Sequence, residues 1–393
     1  MESAGQDRPQ GAVAIKGKSM SLNIGLVARC LNTEHIRGMG KYVFELLSHS
    51  KHHPEMHWRL FGDDQRFGMV TPPGANVETD IFTFRGDRFR AWEQVGLPLR
   101  LRKLDVDLLH ATEGVLSLWQ PKPTVVTLHD TLAWEERADT LGARLYWDHT
   151  IPAALKKCAH VITISECSRT DILARWPWLE PKLTVIPHGI DEAYFTRDSV
   201  DHPCPMHPQL AQSIGAAPYA VYLGGPMKRK RPEWAMEVIA ASRQKDLKLV
   251  VCGFGAAARR AALAELPPHL QGRVLFAEFL SDAELRALYR GAQAVLYPTL
   301  YEGFGFPALE AQAAGVPVIF SALGSLKELI GPLAMVVPPH DLDAWVAALE
   351  RAGNLGEQRA PMVAAAFDWV RRFAWSESFA SHLAVYRKVR GGR

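Results

Sequence analysis

Cysteine is scarce in this chain, and its few copies are scattered. The five cysteines lie at positions 30, 158, 167, 204 and 252, an odd number that includes no C-x-x-C pair. Disulfide frameworks and structural zinc sites need an even set or closely spaced pairs of cysteines. We therefore expect reduced thiols in a cytoplasmic protein.

Long hydrophobic runs are also missing. No apolar run approaches the ~20 residues that a membrane-spanning helix needs, and the N-terminus has no apolar core of the kind found in signal peptides. The sequence therefore predicts neither a membrane span nor export by that route. Residues 1–19 are interpreted as a polar extension, with Met20 as a candidate original start.

Charge of one sign is not in clear excess. The chain has 45 Lys and Arg against 42 Asp and Glu, a formal net charge of +3. Nucleic acid binding needs a clustered basic face, so nucleic acid is not an expected partner. No D-x-D carboxylate pair is apparent at the end of a predicted strand, and we expect neither a metal ion nor another cofactor.

Short apolar runs alternate with helical patterns along most of the chain. Such repeats predict parallel sheets with helices on both faces. Residues 190–217 are rich in Pro, Asp and His, which indicates a linker, and 63–84 is predicted to be mostly loop. The predicted strands are 22–28, 57–62, 108–111, 124–128, 160–164 and 183–186, then 219–223, 247–252, 274–276, 294–297 and 316–320.

These patterns predict an α/β protein with two Rossmann-like parallel-sheet domains that face each other across a cleft. We place the first domain at 20–205 and the second at 206–370, with a helical segment at 371–393. A chain of 393 residues is long enough for two domains that each have a core.

The window 297–320 combines a strand end, a glycine loop, a helix and another strand. Gly303 and Gly305 open the loop, Pro307 suits the first residue of a helix, and Gly315 is a stop signal. A glycine loop that leads into a helix leaves backbone N–H groups unpaired beside the positive end of the helix dipole. This arrangement predicts a phosphate site.

Two carboxylates frame this loop. Glu302 precedes the loop, and we place Glu310 in the first turn of the helix. Carboxylates accept hydrogen bonds from hydroxyl-rich ligands. The alternatives are that Glu310 complements the helix dipole and that Glu302 is a solvated loop residue.

Polar residues also follow other predicted strands, where the ligands of parallel sheets collect. His129 follows the run 124–128, although a single histidine after a strand is more often structural. Gly224 and then Arg229 and Lys230 follow the run 219–223, within GGPMKRKRPEW. Their position after a strand and two glycines suits an anion site, whereas four consecutive cations are usually a solvated patch.

Glycines stand at the start of the first predicted helix as well. Gly38 and Gly40, in RGMGKYVFELL, precede an apolar helical pattern. They lack the full G-x-G-x-x-G pattern, so a dinucleotide site is not indicated.

The string E-G-F-G-x-P-x-L-E-A-x-A-x-G-x-P-V-I at residues 302–319 closely resembles the signature of retaining glycosyltransferases of family 4, which have the GT-B fold. VVTLHD, VITISECSR and VIPHGID match the same family in the same order. The resemblance spans about residues 22–390, and it implies that the C-terminal helix packs back on the first domain.

The resemblance implies a role for each candidate residue. Glu310 would hold the ribose hydroxyls of a nucleotide sugar, Glu302 would contact the transferred sugar, and His129 would lie at the reaction centre. The residues implied to lie near the diphosphate, or at the cleft beside it, are Gly40, Gly224, Arg229, Lys230, Gly303, Phe304 and Gly305. Phe279 and Leu280 would lie near the nucleobase. Arg231 departs from the pattern, since mannosyltransferase-type relatives often carry Asn there, and we assign it no role.

The implied activity is retaining, metal-independent transfer of a sugar to a saccharide or lipid-linked acceptor in surface polysaccharide synthesis. GDP-mannose is the leading donor. The catalytic candidates are His129, Glu302, Arg229 and Lys230. The alternatives are a sugar-nucleotide epimerase and a non-catalytic GT-B nucleotide-binding subunit; a phosphorylase would need a pyridoxal lysine, and no segment resembles that site.

The segment 85–103 has six cations, two acids and interleaved aromatic residues. A basic amphipathic segment of this kind can lie on an anionic membrane surface, which would make the protein peripheral on the inner face of the membrane. The alternative is a solvated helix face over the core.

Overall fold

The computed structural model describes residues 21–34, 36, 38–87, 90–136, 140–194 and 205–392. The predicted polar extension, Met20, Cys204 and part of the basic segment, Arg88 and Phe89, lie outside these residues. The strands of the first half are β1 (Leu22–Val27), β2 (Met56–Gly62), β3 (Val77–Ile81), β4 (Leu108–Ala111), β5 (Thr124–Thr127), β6 (His160–Thr163) and β7 (Leu183–Val185). Those of the second half are β8 (Tyr219–Leu223), β9 (Lys248–Cys252), β10 (Val274–Phe276), β11 (Ala294–Tyr297), β12 (Val318–Phe320) and β13 (Ala334–Val336).

These strands form two separate parallel sheets. The first has seven strands in the order β3-β2-β1-β4-β5-β6-β7, and the second has six in the order β10-β9-β8-β11-β12-β13. Every residue of β4, β5, β6 and β11 is buried. Continuous burial is expected of a parallel sheet covered on both faces, which is why these runs were recognisable in the sequence.

The edge strands β3 and β13 were not predicted. β3 lies inside the stretch 63–84, so the prediction of loops is wrong at that strand. Its sequence, VETDI, is mostly polar and only Asp80 is buried. An edge strand with partly solvated sides lacks the apolar run that marks a central strand.

Helices cover both faces of the sheets. In the first half they are α1 (Gly38–His49), α2 (Leu97–Leu101), α3 (Leu132–Glu135), α4 (Leu141–Arg144), α5 (Ile151–Lys157) and α6 (Glu166–Arg175). In the second half they are α7 (Pro208–Ile214), α8 (Pro232–Ala241), α9 (Ala256–Ala264), α10 (Asp282–Gly291), α11 (Phe306–Ala313), α12 (Leu342–Gly353), α13 (Arg359–Val370) and α14 (Trp375–Gly391). α7 lies within the predicted linker, whose residues 195–204 are outside the described part of the chain.

The chain crosses between the two sheets twice, and the two crossings lie side by side. The backbone N–H of Ile190 donates to the carbonyl of Phe373 at 2.8 Å, next to an isolated parallel bridge between Ile190 and Ala374. Gly189 permits this approach, because a Cβ there would lie 2.5 Å from the backbone nitrogen of Trp375. The second crossing leads into α14.

α14 packs on the first sheet, although it is the last helix of the chain. Its buried residues share an apolar cluster with Leu26 of β1 and Tyr42 of α1. These residues are Trp375, Phe379, Leu383, Val385 and Tyr386. The first sheet and the last helix therefore have a common core, and the two halves form the two Rossmann-like units of a GT-B protein.

Candidate active site

The glycine loop connects β11 to α11 at the carboxyl edge of the second sheet. Gly305 is the N-cap of α11 and has a φ of 102°, a backbone region that favours glycine. A Cβ at Gly305 would also lie 2.5 Å from a methyl carbon of Leu326. α11 begins at Phe306, with Pro307 at its second residue, where no intrahelical N–H bond is lost. The elements follow one another in the predicted order.

Glu310 lies in the second turn of α11, not in the first turn as predicted. The helix starts at Phe306, one residue before Pro307, and its first turn contains no acidic residue. An interaction with the helix dipole falls off within the first turn, so that alternative loses support. Glu310 is buried, and its carboxylate accepts hydrogen bonds from Lys41 Nζ at 2.9 Å and from the Tyr289 hydroxyl at 3.4 Å.

Glu302 lies between two cations. Its Oε1 is 3.3 Å from Arg229 Nη1 and 3.3 Å from Lys230 Nζ, and it accepts a hydrogen bond from Thr299 Oγ1 at 3.0 Å. The Glu302 side chain is 11% exposed and those of Arg229 and Lys230 are 20% and 19% exposed. Because little water screens these charges, the three side chains form a compact group rather than a solvated patch.

A short 3₁₀ turn at Lys228–Lys230 positions the two cations after β8. Arg229 Nη1 donates to the Tyr301 carbonyl at 2.8 Å. The Tyr222 hydroxyl donates to the Gly225 carbonyl at 2.9 Å, with the Lys230 carbonyl 3.3 Å away. Gly224 is needed close to this turn, since a Cβ there would lie 2.5 Å from the Tyr222 hydroxyl and 3.2 Å from Lys230 Cδ.

Arg231 belongs to the same turn but points to another neighbour. It has a left-handed φ of 50°, and its guanidinium lies 4.1 Å from the ring centroid of Trp234. This stacking on Trp234 explains the orientation of the Arg231 side chain, and no role in the site is needed to explain it.

His129 reaches the glycine loop from the first domain. Its Nε2–H donates to the Thr112 carbonyl at 2.8 Å, and burial lowers its pKa, so the ring is neutral with Nδ1 as its acceptor. Burial raises the pKa of the neighbouring Asp130 carboxyl. A Cβ at Gly303 would lie 2.9 Å from Asp130 Oδ2 and 3.1 Å from the His129 carbonyl. The carboxyl ends of β5 and β11 therefore meet across the cleft.

Other contacts hold the two domains together around this point. The Glu328 carboxylate accepts hydrogen bonds from the backbone N–H groups of Glu166 and Cys167, at 3.0 and 2.8 Å, at the start of α6. The Tyr301 hydroxyl donates to Asp171 Oδ2 at 2.7 Å. Together with the Lys41–Glu310 pair, these bonds join the first domain to the second in a closed arrangement.

The described ranges contain no group of three or more His, Cys, Asp or Glu side chains arranged to hold a metal ion. None of the helices in these ranges is long and apolar enough to cross a membrane.

Comparisons with known proteins agree with this architecture. Residues 36–194 match the model of Glycosyltransferase Family 4, and residues 217–354 match the model of Glycosyl transferases group 1. The two models fall on the two sheets. The chain belongs to glycosyltransferase family 4.

Two curated relatives of this glycosyltransferase are mannosyltransferases. MMP alpha-(1->4)-mannosyltransferase of Mycolicibacterium hassiacum is 28% identical over 318 residues, 73% of this chain and 72% of the relative. O-antigen chain mannosyltransferase B of Escherichia coli is 24% identical over 248 residues, 62% of this chain and 64% of the relative. Among solved structures, the sucrose-phosphate synthase of Thermosynechococcus elongatus has a TM-score of 0.70 at 21% identity, covering 95% of this chain and 100% of the other.

Three predicted site residues of the glycosyltransferase lie outside the group formed by Glu302, Arg229, Lys230 and His129. Gly40 lies within the first turn of α1, which begins at Gly38, so both glycines are part of that helix. A Cβ at Gly40 would lie 2.8 Å from the Cys30 carbonyl, so close packing requires glycine there. Phe279 is exposed and Leu280 is half-buried, just before α10.

The remaining predicted residues lie in or beside the loop. Phe304 is buried, and its ring lies 5.2 Å from that of His188, so its side chain serves the core while its backbone belongs to the loop. Glu302, Gly303, Gly305 and Glu310 lie at the cleft, as described above.

Several residues of the site were not predicted from the sequence. Thr299 donates a hydrogen bond to Glu302, and its position three residues before Glu302 is a signal that the sequence does contain. Lys41, Tyr289 and Glu328 act across the fold, and no local pattern connects Lys41 with a carboxylate 269 residues away.

Proposed function

We propose that this glycosyltransferase moves mannose from GDP-mannose to a saccharide or lipid-linked acceptor in surface polysaccharide synthesis, with retention of configuration and without a metal ion. The observation that carries the proposal is the convergence of Arg229, Lys230 and Glu302 on the glycine loop, with the backbone carbonyl of His129 lying beside Gly303 from the other domain.

The two cations suit the diphosphate leaving group. As the bond between the sugar and the phosphate breaks, negative charge accumulates on the phosphate. Fixed cations and the N-terminus of α11 stabilise that charge without reorganising at the moment of reaction. Arg229 and Lys230 are held for this purpose by the Tyr301 carbonyl and by the turn after β8.

Glu302 is better suited to binding hydroxyls than to attacking the sugar. Two cations and Thr299 stabilise its negative charge, and a carboxylate stabilised in this way is a weak nucleophile. We therefore infer front-face transfer, in which the acceptor attacks from the side that the nucleotide leaves. His129 supports this arrangement, because its neutral ring can accept a hydrogen bond from a sugar hydroxyl through Nδ1.

The choice of mannose rests on the two mannosyltransferase relatives. The test is a thermal-shift comparison of GDP, UDP, ADP and dTDP at one common concentration. A nucleotide for which that concentration is 100 times the Kd adds about 2.7 kcal/mol of stability, and a nucleotide that binds more weakly adds less. GDP should give the largest shift, and a larger shift with another nucleotide would exclude GDP-mannose.

Product analysis with a labelled donor tests the reaction itself. We expect an α-linked product from α-configured GDP-mannose and the same rate in EDTA. An inverted product would overturn front-face transfer, and activity lost in EDTA and restored by magnesium or manganese would overturn metal independence. Release of a free epimerised nucleotide sugar would instead indicate the epimerase, and nucleotide binding with no turnover would indicate the non-catalytic subunit.

An anionic membrane surface is a further proposed partner. Arg102 and Lys103, after α2, are exposed, and Val95 and Leu99 beside them are both 44% exposed. Arg100, by contrast, donates two hydrogen bonds to Asp80, so it belongs to the structure of the first sheet. The proposed contact surface is therefore smaller than the whole basic segment.

A further inference from the structure

One ion pair crosses the cleft beside the proposed nucleotide site. Lys41, in α1 of the first domain, donates from Nζ to Oε1 of Glu310, in α11 of the second domain, at 2.9 Å. Among the residues the structure describes, Lys41 is the cation paired with Glu310. The pair therefore connects the first domain to the carboxylate assigned to the ribose.

The pair is largely removed from water. The side chains of Lys41 and Glu310 are 17% and 5% exposed. Burial opposes the charge on Lys41, but Glu310 and Asp282 together raise its pKa above the ordinary value, so the ammonium group stays protonated. Removing one partner of such a pair leaves the other charge buried and uncompensated.

Lys41 is held from its other side as well. Its Nζ lies 5.7 Å from the ring centroid of Tyr194. Arg290 Nη2 donates to the Tyr194 carbonyl at 2.8 Å, and Arg286 Nη1 donates to Asp191 Oδ2 at 3.0 Å. These bonds fix residues 191–194 against α10, which keeps the Tyr194 ring beside Lys41.

Glu310 keeps acceptor capacity for a ligand. Each carboxylate oxygen can accept two hydrogen bonds. Lys41 uses one position on Oε1, and Tyr289 makes a longer bond of 3.4 Å to Oε2. The two hydroxyls of a ribose can use the remaining positions, and they bind more tightly when the carboxylate is already fixed in one orientation.

We propose that Lys41 is a positioning residue for ribose recognition, supplied by the first domain to the second domain. It fixes the Glu310 carboxylate so that the ribose hydroxyls are recognised fully only when the two domains are closed. This inference rests on the proposed function, which assigns Glu310 to the ribose.

The test compares a nucleotide with an analogue that lacks the hydroxyls. GDP and 2′,3′-dideoxy-GDP are titrated calorimetrically into the parent protein and Lys41→Met, which keeps the stem of the side chain and removes the charge. Where the panel above selects another nucleotide, that nucleotide and its dideoxy analogue are used. GDP should bind about tenfold more weakly to Lys41→Met, the lower end for charged hydrogen bonds, and the analogue should change little. Lys51→Met, an exposed lysine just after α1, is the control and should bind both as the parent does.

Two further variants keep the inference falsifiable. Glu310→Gln should show the same selective loss of GDP binding, and Lys41→Met combined with Glu310→Gln should bind GDP no more weakly than Glu310→Gln alone. Lys41→Arg keeps the charge and should retain most of the preference for GDP.

The inference is overturned if folded Lys41→Met binds GDP as tightly as the parent, or if it loses GDP and the dideoxy analogue equally. The inference is also overturned if the affinities of folded Lys41→Arg for GDP and for the dideoxy analogue fall equally. If the parent binds none of GDP, UDP, ADP and dTDP, the proposed function fails, whatever Lys41 does.

Discussion

At the scale of single residues, the sequence predicted the site best where one short string contained all its parts. Glu302, Gly303, Gly305 and Glu310 fall within nine consecutive positions, and each lies at the cleft. The turn that contains Glu310 was predicted wrongly, because Pro307 is the second residue of α11 and not the first. The contact between Lys41 and Glu310 could not be predicted, since Lys41 approaches from the other domain and the contact depends on tertiary packing.

Arg229 and Lys230 offer a direct test at this scale. Replacing both with Ala should weaken donor binding and also lower kcat, on the order of 10²–10³-fold, because their interaction with the leaving group grows toward the transition state. Arg229→Lys should also be damaging, since an ammonium group cannot reproduce the two-pronged contact of a guanidinium with phosphate. Steady-state kinetics with saturating donor measures both effects.

The matched control is Lys228→Ala, an exposed cation in the same turn, which should behave as the parent does. A folded double variant that saturates with donor and turns over at the parental rate would show that Arg229 and Lys230 take no part in the reaction.

At the scale of elements, burial decided what could be predicted. The central strands β4, β5, β6 and β11 are buried along their whole length, whereas the edge strand β3 is largely solvated and was assigned to a loop. The segment 85–103 shows the same limit. Its cations look alike in the sequence, but in the structure Arg100 is bound to Asp80, while Arg102 and Lys103 face solvent.

The membrane proposal is therefore tested with Arg102→Gln and Lys103→Gln together. Binding to anionic vesicles, measured by co-sedimentation, should weaken by about 1 kcal/mol per cation removed, and nucleotide affinity should be unchanged. The charge-matched control is Arg260→Gln with Arg351→Gln, two exposed cations of the second domain. Equal vesicle binding by the parent and the Arg102/Lys103 variant would exclude this surface as a membrane contact.

At the scale of the whole molecule, a buried chain of hydrogen bonds fastens α14 to the first domain. His382 Nδ1–H donates to the Ser378 carbonyl at 2.7 Å, so Nε2 accepts from the Tyr42 hydroxyl at 2.9 Å. The Tyr42 oxygen in turn accepts from Thr127 Oγ1 at 3.0 Å. Because the Ser378 carbonyl can only accept, it determines which atom is the donor in each of the following hydrogen bonds.

The chain continues across β4 and returns to α14. His110 Nε2–H donates to Thr127 Oγ1 at 2.8 Å, and His110 Nδ1 accepts from the Tyr386 hydroxyl at 2.7 Å. Burial lowers the pKa of both histidines, that of His382 to about 4. The chain is complete only while both rings are neutral.

This network predicts a loss of stability in acid. The pKa of His382 is about 4 in the folded protein and about 6.5 in the unfolded chain, so the unfolded state binds more protons between these values and stability falls as the pH drops through them. His382 alone should remove about 2 kcal/mol of unfolding free energy between pH 7 and pH 5. Urea denaturation at the two pH values measures the change.

His382→Gln separates this contribution from that of other titrating groups. Burial raises the pKa of Glu93 to about 7, so protonation of Glu93 increases the stability of the folded state as the pH falls. This effect is opposite to that of His382 and is the same in the parent and the variant. The variant should be less stable than the parent at pH 7 and should lose less stability on going to pH 5. An identical loss in parent and variant would mean that His382 does not titrate as its burial indicates.

The packing of α14 on the first sheet also determines the order in which the protein can mature on the ribosome. β7 ends at Val185, but α14 begins only at Trp375. At a synthesis rate of about 5–20 residues per second, this delay is on the order of ten seconds or more. During that time the newly made first domain presents an uncovered apolar face. All the strands of the second sheet are synthesised in the same interval, before α14. The second domain, although it is made later, is therefore the first that can finish folding, and the apolar face of the first domain stays uncovered until α14 has been made.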